Sequence, residues 1–175
     1  AKNAGADVIF APTSTEAAAL IIEQASSQGI NLPLLGGDTW DSNVILNAAE
    51  GKDLEIFVST FYQEGGTPEF DEGFKEWINS AQVNLDNNGG DDTVAAVSAM
   101  GYDAYNFALE AIKNAGSTDP SAINEAIWDT TLTGVTGEIV IDRDADGDAI
   151  RNTAFIKAAD TANVAWVLET EQTIG

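Results

Sequence analysis

The sequence predicts an α/β fold in which parallel strands are flanked by helices. Three observations carry this. Apolar runs of strand length recur at Asp7 to Phe10, Leu32 to Leu35 and Ile56 to Phe61. Helical patterns, Ala17-Leu20-Ile21-Ala25 and then Asn43 to Ala49, lie between them. Turn glycines, Gly29 and Gly51, close those helices. The resulting β-α-β-α-β order implies parallel strands joined by right-handed crossovers.

Along the chain, Ala1 to Gly5 has the look of a helix tail. Thr13-Ser14-Thr15-Glu16 fits a capping box, with Thr13 as N-cap and Glu16 three residues on. Asp41 or Ser42 is placed to cap the second helix. After Tyr62 the pattern changes, and Gln63-Glu64-Gly65-Gly66 reads as a flexible boundary. Thr67-Pro68 opens a helix with proline at its first position. Its stripe of Phe70, Phe74, Trp77 and Ile78 reads as core packing. Leu85 to Asp92 reads as a polar loop, and a long helix follows from about Thr93 to Ala115. Val94, Val97, Tyr105, Leu109 and Ile112 form the apolar side of that helix, and Tyr102 is placed to reach a cleft. Another helix begins at Asp119-Pro120, with Ile123, Ala126 and Ile127 inward. The last third is strand-rich, with Glu138 to Ile141, Thr153 to Ala158 and Val164 to Leu168 as strands.

Composition narrows function. The formal charge is −22, from 29 acids and 7 bases. Such a balance opposes nucleic acid and anionic membrane surfaces as partners, which require basic patches. It favours solubility, including in a salty medium. The chain has no cysteine and no histidine, which excludes disulfides, zinc–thiolate sites and histidine-based triads. No apolar run reaches the roughly 20 residues of a membrane span. Glycine-rich nucleotide loops and a nucleophile elbow are absent.

One stretch stands out, Leu34-Leu35-Gly36-Gly37-Asp38-Thr39-Trp40-Asp41-Ser42. In open α/β sheets, ligands sit beyond the carboxyl ends of the strands. Asp38 would stand on that rim beside an indole, which suits a small cation such as an ammonium group. The alternative is an ordinary loop with a solvated acid. Asp142-Arg143-Asp144-Ala145-Asp146-Gly147-Asp148 imitates the start of a calcium loop. Thr153 occupies the place of the bidentate glutamate, however, so an acidic turn is the expectation and no metal or other cofactor is predicted.

Four stretches together resemble type I periplasmic binding proteins, in the branch that serves branched-chain amino-acid ABC importers. Gly36 to Ser42 is similar to that family's G-G-D-G-W-D-S, and Gly101-Tyr102-Asp103-Ala104, Ala115 to Pro120 and Gly134 to Ile139 agree in order and spacing. The resemblance covers nearly the whole chain but only the C-terminal half of the family's length, so a fragment is expected. It implies a two-lobe clamshell with parallel sheets. Residues 1–61 and 152–175 would be part of lobe 2, and residues 62–151 part of lobe 1. By the same resemblance Asp38 holds a ligand ammonium, Thr13 adds a polar contact, Trp40 walls the cleft, and Val97 holds the position that lines the side-chain pocket. Tyr62 falls at the interlobe crossing. Thr13 and Val97 stand where the family often has aromatic residues, which bears on ligand identity. The implied partners are a small-molecule amino acid, a membrane permease and the N-terminal half of the same protein. The implied location is periplasmic or extracellular, with a lipid anchor as one option. A receptor's ligand-sensing domain is the alternative function, and a carboxylate-based hydrolase a more distant one.

Overall fold

The computed structural model describes residues 5–144 and 147–173. The helix tail read at Ala1 to Ala4 lies outside them, as do Ala145 and Asp146 of the acidic turn. Strand β1 (Ile9–Phe10), helix α1 (Thr15–Ser27), strand β2 (Leu34–Gly36), helix α2 (Asn43–Ala49) and strand β3 (Ile56–Thr60) follow the predicted order. The three strands are parallel, with Leu34 opposite both Ile9 and Ile56. Helices α3 (Pro68–Asn79), α4 (Gln82–Asn87), α5 (Ala96–Ala115) and α6 (Pro120–Ile127) come next. A hairpin, β4 (Thr131–Gly134) with β5 (Gly137–Val140), forms its own two-stranded sheet. The chain then returns as β6 (Thr153–Asp160) and β7 (Ala165–Thr173), completing a five-stranded sheet ordered β1-β2-β3-β6-β7. The last two strands run antiparallel to their neighbours. The fold is α/β, with a parallel-rich sheet and flanking helices.

Two hydrophobic clusters organise these elements. The first joins α1 and α2 to the sheet through Ala18, Ile22, Leu34, Trp40, Ile45, Ile56 and Val58. The second gathers Tyr62, Val94, Ala96 and Ala99, with Phe70, Phe74 and Val135 against them. A buried carboxylate secures the β4–β5 turn to α5. Asp103 accepts from the backbone N–H groups of Val135 and Thr136 at 2.8 Å each and from the Thr136 hydroxyl at 2.6 Å. Gly134 lies so close to that carboxylate that a Cβ would overlap it. Two of the motifs that carried the resemblance therefore hold each other.

Several local expectations are corrected. Ser14, not Thr13, caps α1: its hydroxyl accepts from the Ala17 N–H, and its backbone is extended at φ −62, ψ 159. The Glu16 backbone N–H and the Ser14 hydroxyl hold the exposed Glu16 carboxyl below its ordinary range. Asp7 to Phe10 contributes only Ile9–Phe10, because only those residues find a partner, on β2. The polar run Leu85 to Asp92 begins inside α4, whose Asn84 amide anchors it by donating to the Trp77 carbonyl at 2.8 Å. Strand β4 went unpredicted, since Thr131–Gly134 is too short and polar to show alternation. Trp77 is 58% exposed, so the α3 stripe packs through Phe70, Phe74 and Ile78 instead. The outward side of α5, with Tyr105, Leu109 and Ile112, is exposed as well. No helix among the described residues is long and apolar enough to cross a membrane.

Candidate functional site

Strands β1 and β2 end side by side, and the two loops that leave them are fastened together. The Thr39 hydroxyl donates to the Thr13 carbonyl at 2.7 Å, and the Thr15 hydroxyl donates to the Thr39 carbonyl at 2.7 Å. This reciprocal pair fixes Thr13 beside the 3-10 turn Asp38–Trp40. The Thr13 hydroxyl oxygen is itself enclosed and has no partner among the described residues. Trp40 lies beneath the rim, fully buried in the first cluster. Its indole rests on Gly36, where a Cβ would collide with the ring. That contact explains one glycine of the Gly36-Gly37 pair.

Asp38 and Asp41, three residues apart, have opposite environments. Asp38 is exposed, and its carboxylate has no hydrogen bond or ion pair with any described residue. Asp41 is 3% exposed and fully engaged. Lys157 Nζ lies 3.1 Å from its Oδ1 and 3.0 Å from its Oδ2. The Thr60 hydroxyl donates to Oδ2 at 2.8 Å, and the Ala96 N–H donates to the same oxygen at 3.2 Å. Ser42, the next residue, takes the capping role on α2 by accepting from the Val44 N–H. A register shift between Ile156 and Lys157 accompanies the inward turn of the lysine, since a bulge re-aims side chains.

The Asp41–Ala96 bond sets the first turn of α5 against the rim. Val97, in that turn, is 72% exposed. Tyr102, one and a half turns on, is half exposed and lies against Phe70 with ring centroids 5.0 Å apart. Tyr62 is buried, meets Phe70 edge-on at 5.8 Å, and donates its phenol to Asp71 at 2.8 Å. Burial and the Asp71 carboxylate push that phenol up to about 12. Thus Thr13, Asp38 and Val97 are grouped about one rim, Trp40 lies in the core beneath it with no surface to wall a cleft, Tyr102 borders the rim through α5, and Tyr62 sits deeper in the second cluster.

A cavity of about 1000 Å³ lies apart from this rim, among Phe61 to Gly66, the β4–β5 turn, Ile150 to Thr153 and Phe155. Of the candidate residues only Tyr62 lines it. A smaller cavity of about 460 Å³ is bordered by Asp41, Lys157, Gln63 and Trp166. No group of three or more acidic, histidine or cysteine side chains among the described residues is arranged to hold a metal ion. In the acidic turn, Asp142 accepts from the Asp144 N–H through its Oδ1 at 2.8 Å, as turn-forming aspartates do.

Sequence reasoning did not find Lys157 or the burial of Asp41. Their separation of 116 residues leaves no local signal. The only available hint was a lone lysine within an apolar strand.

Residues 1–163 match the family described as periplasmic binding protein. No curated protein matches the chain. Among solved structures, a leucine binding protein, LivK, from Thermotoga maritima is 29% identical with a TM-score of 0.74, over 98% of this chain and 46% of that one. An ABC transporter substrate-binding protein from Desulfitobacterium hafniense in complex with Leu is 25% identical with a TM-score of 0.62, over 95% of this chain and 44% of that one. A solute binding protein of an ABC transporter from R. palustris, in complex with benzoate, shares the fold at 14% identity and a TM-score of 0.72, over 98% and 44%. The chain spans less than half the length of each of these proteins.

Proposed function

The chain belongs to the periplasmic binding protein family, and from that premise we propose that it is part of the substrate-binding component of an ABC importer, taking an amino acid of the branched-chain or a related kind. The single observation that carries this reading is Asp38: an unpaired, exposed carboxylate beyond the carboxyl ends of parallel strands, on a loop fastened to its neighbour. Such an acid is free to form charge-assisted hydrogen bonds with an α-ammonium group. The leucine-related names among the similar structures support the ligand class.

In this reading residues 1–61 and 152–175 are part of one lobe and 62–151 part of the other. The separate hydrophobic clusters support that division. The protein acts by capture and release without catalysis, at the outer face of a membrane, and delivers its ligand to a permease. The ligand's carboxylate is held by the remainder of a longer protein.

Calorimetry on the full-length protein with a panel of amino acids tests the reading. Saturable binding of leucine or a relative is expected. Asp38→Asn should weaken it at least tenfold with little change in melting temperature. Affinity within threefold of the parent would remove Asp38 from the ligand site.

A further inference from the structure

We infer that Asp41 is the positioning residue that sets the gap between the rim loop carrying Asp38 and the first turn of α5 carrying Val97, with Lys157 as its counter-ion. The inference rests on the binding role proposed above for what it says about ligand, but not for what it says about spacing.

One carboxylate joins four separate segments. Asp41 belongs to the loop between the 3-10 turn and α2, Thr60 ends β3, Lys157 lies within β6, and Ala96 opens α5. Oδ2 alone accepts from the latter three. Helix α5 has no side-chain cap of its own: Ala95 stands at its N-cap without a side-chain hydrogen bond. Asp41 substitutes for that cap from another part of the chain, and a carboxylate at a helix N-terminus is favoured by the helix dipole. Lys157 Nζ lies 3.0 Å from the same Oδ2, and both side chains are almost wholly enclosed.

A second clamp runs parallel to the first. Asn43, two residues on, donates through Nδ2 to the Asn88 carbonyl and to Asp91 Oδ1, at 2.8 Å each. Gly89 adopts φ +83 with the Asn43 amide packed so closely that any Cβ would overlap it. The residues leading into α5 are therefore gripped at two points by the segment that follows Asp38 and Trp40. Asp41 Oδ2 already accepts three hydrogen bonds, and the Asn43 amide has committed both of its N–H donors. Their contribution is to hold apart, at fixed distance, the groups that would touch one.

Two variants test the spacing. Ala96→Pro places a ring carbon where the Asp41 hydrogen bond lies. Ala96 is the first residue of α5, where proline is tolerated, and Ala95 is already extended at φ −74, ψ 152, as a residue before proline should be. Asp41→Leu combined with Lys157→Met removes both charges together, which often leaves stability intact. The native chain lacks cysteine, so spin labels on Val44→Cys and Tyr105→Cys, both at exposed sites on α2 and α5, report the gap by dipolar spectroscopy. Both variants should give a longer and broader label distance while cooperative melting is retained. In the full-length protein, both should also lose at least tenfold in leucine affinity. An unchanged distance in the double variant overturns the inference. An altered distance with leucine affinity within threefold limits Asp41 to a structural role and overturns it as a positioning residue. If full-length protein binds no amino acid but the distance shifts, the spacing role stands and the proposed ligand fails.

Discussion

Asp38 and Asp41 show how far residue identity alone can be carried. Both follow the end of β2, and both read as polar loop residues, yet only Asp41 meets a lysine. The rim position of Asp38 was legible because it depends on local order, strand then glycine then acid. The burial of Asp41 was not, because it depends on β6 arriving beside β3. Removing one partner of a buried ion pair leaves an uncompensated charge. Lys157→Met should therefore cost about 3–5 kcal/mol in chemical denaturation. Tyr62 gives a pH test. Its phenol is raised from 10 to about 12, so the folded state holds the proton more tightly than the unfolded chain. The associated stability is complete below pH 10 and is lost as pH rises through about 12. Titration of phenolate absorbance should show a late step, as pH rises through about 12, that coincides with unfolding. Tyr62→Phe should abolish that late step.

At the level of elements, periodicity and cap chemistry located most helices and strands within a few residues. Pro68 and Pro120 both stand at first helical positions, as their fixed backbone angle requires. The misses have particular causes. Thr13 lost the cap to Ser14: the Ser14 hydroxyl meets the Ala17 N–H, while the Thr13 hydroxyl is enclosed without a partner among the described residues. Helix α4 is six residues long and held by side-chain amides, so its apolar pattern is nearly empty. The β4–β5 turn depends on Asp103, more than thirty residues away in sequence. The Arg151 guanidinium extends this network by donating to the Thr136 carbonyl at 3.0 Å and hydroxyl at 2.9 Å. Gly134→Ala should push a methyl group into the Asp103 carboxylate. A loss of about 1–3 kcal/mol is expected from overpacking, read from the midpoint of urea unfolding. A midpoint equal to the parent's would show that the turn can move away from α5 without cost.

For the whole molecule, charge and apolar exposure act in opposite directions. Among the described residues five bases are paired with acids, and with only seven bases in the chain most of the 29 acids are left repelling one another. Salt screens this repulsion over about 10 Å at 0.1 M and less at higher concentration. Melting temperature should rise from dilute buffer to molar potassium chloride, by about 2–4 °C for each kcal/mol relieved. The same screening uncovers a second tendency. Phe10 on the β1 edge is 68% exposed, and Tyr105, Leu109 and Ile112 leave an apolar stripe on α5. Open edges and apolar patches promote association. Light scattering of the 175-residue chain should therefore depart from the 18.4 kDa monomer, increasingly so as salt is added. A clean monomer at all salt concentrations would show that the acidic surface alone prevents contact.

The place of β6 beside β3 has a consequence in time. A ribosome adds about 5–20 residues per second, so Lys157 emerges roughly 6–23 s after Asp41, 116 residues behind it. Until β6 is made, β3 has no neighbour on that side, and Asp41 lacks Lys157. The three parallel strands can gather early, but the five-stranded sheet is complete only when the β6–β7 hairpin is made. The contact between Asp41 and Lys157 therefore forms only after β6 has been made, long after the loop that carries Asp41.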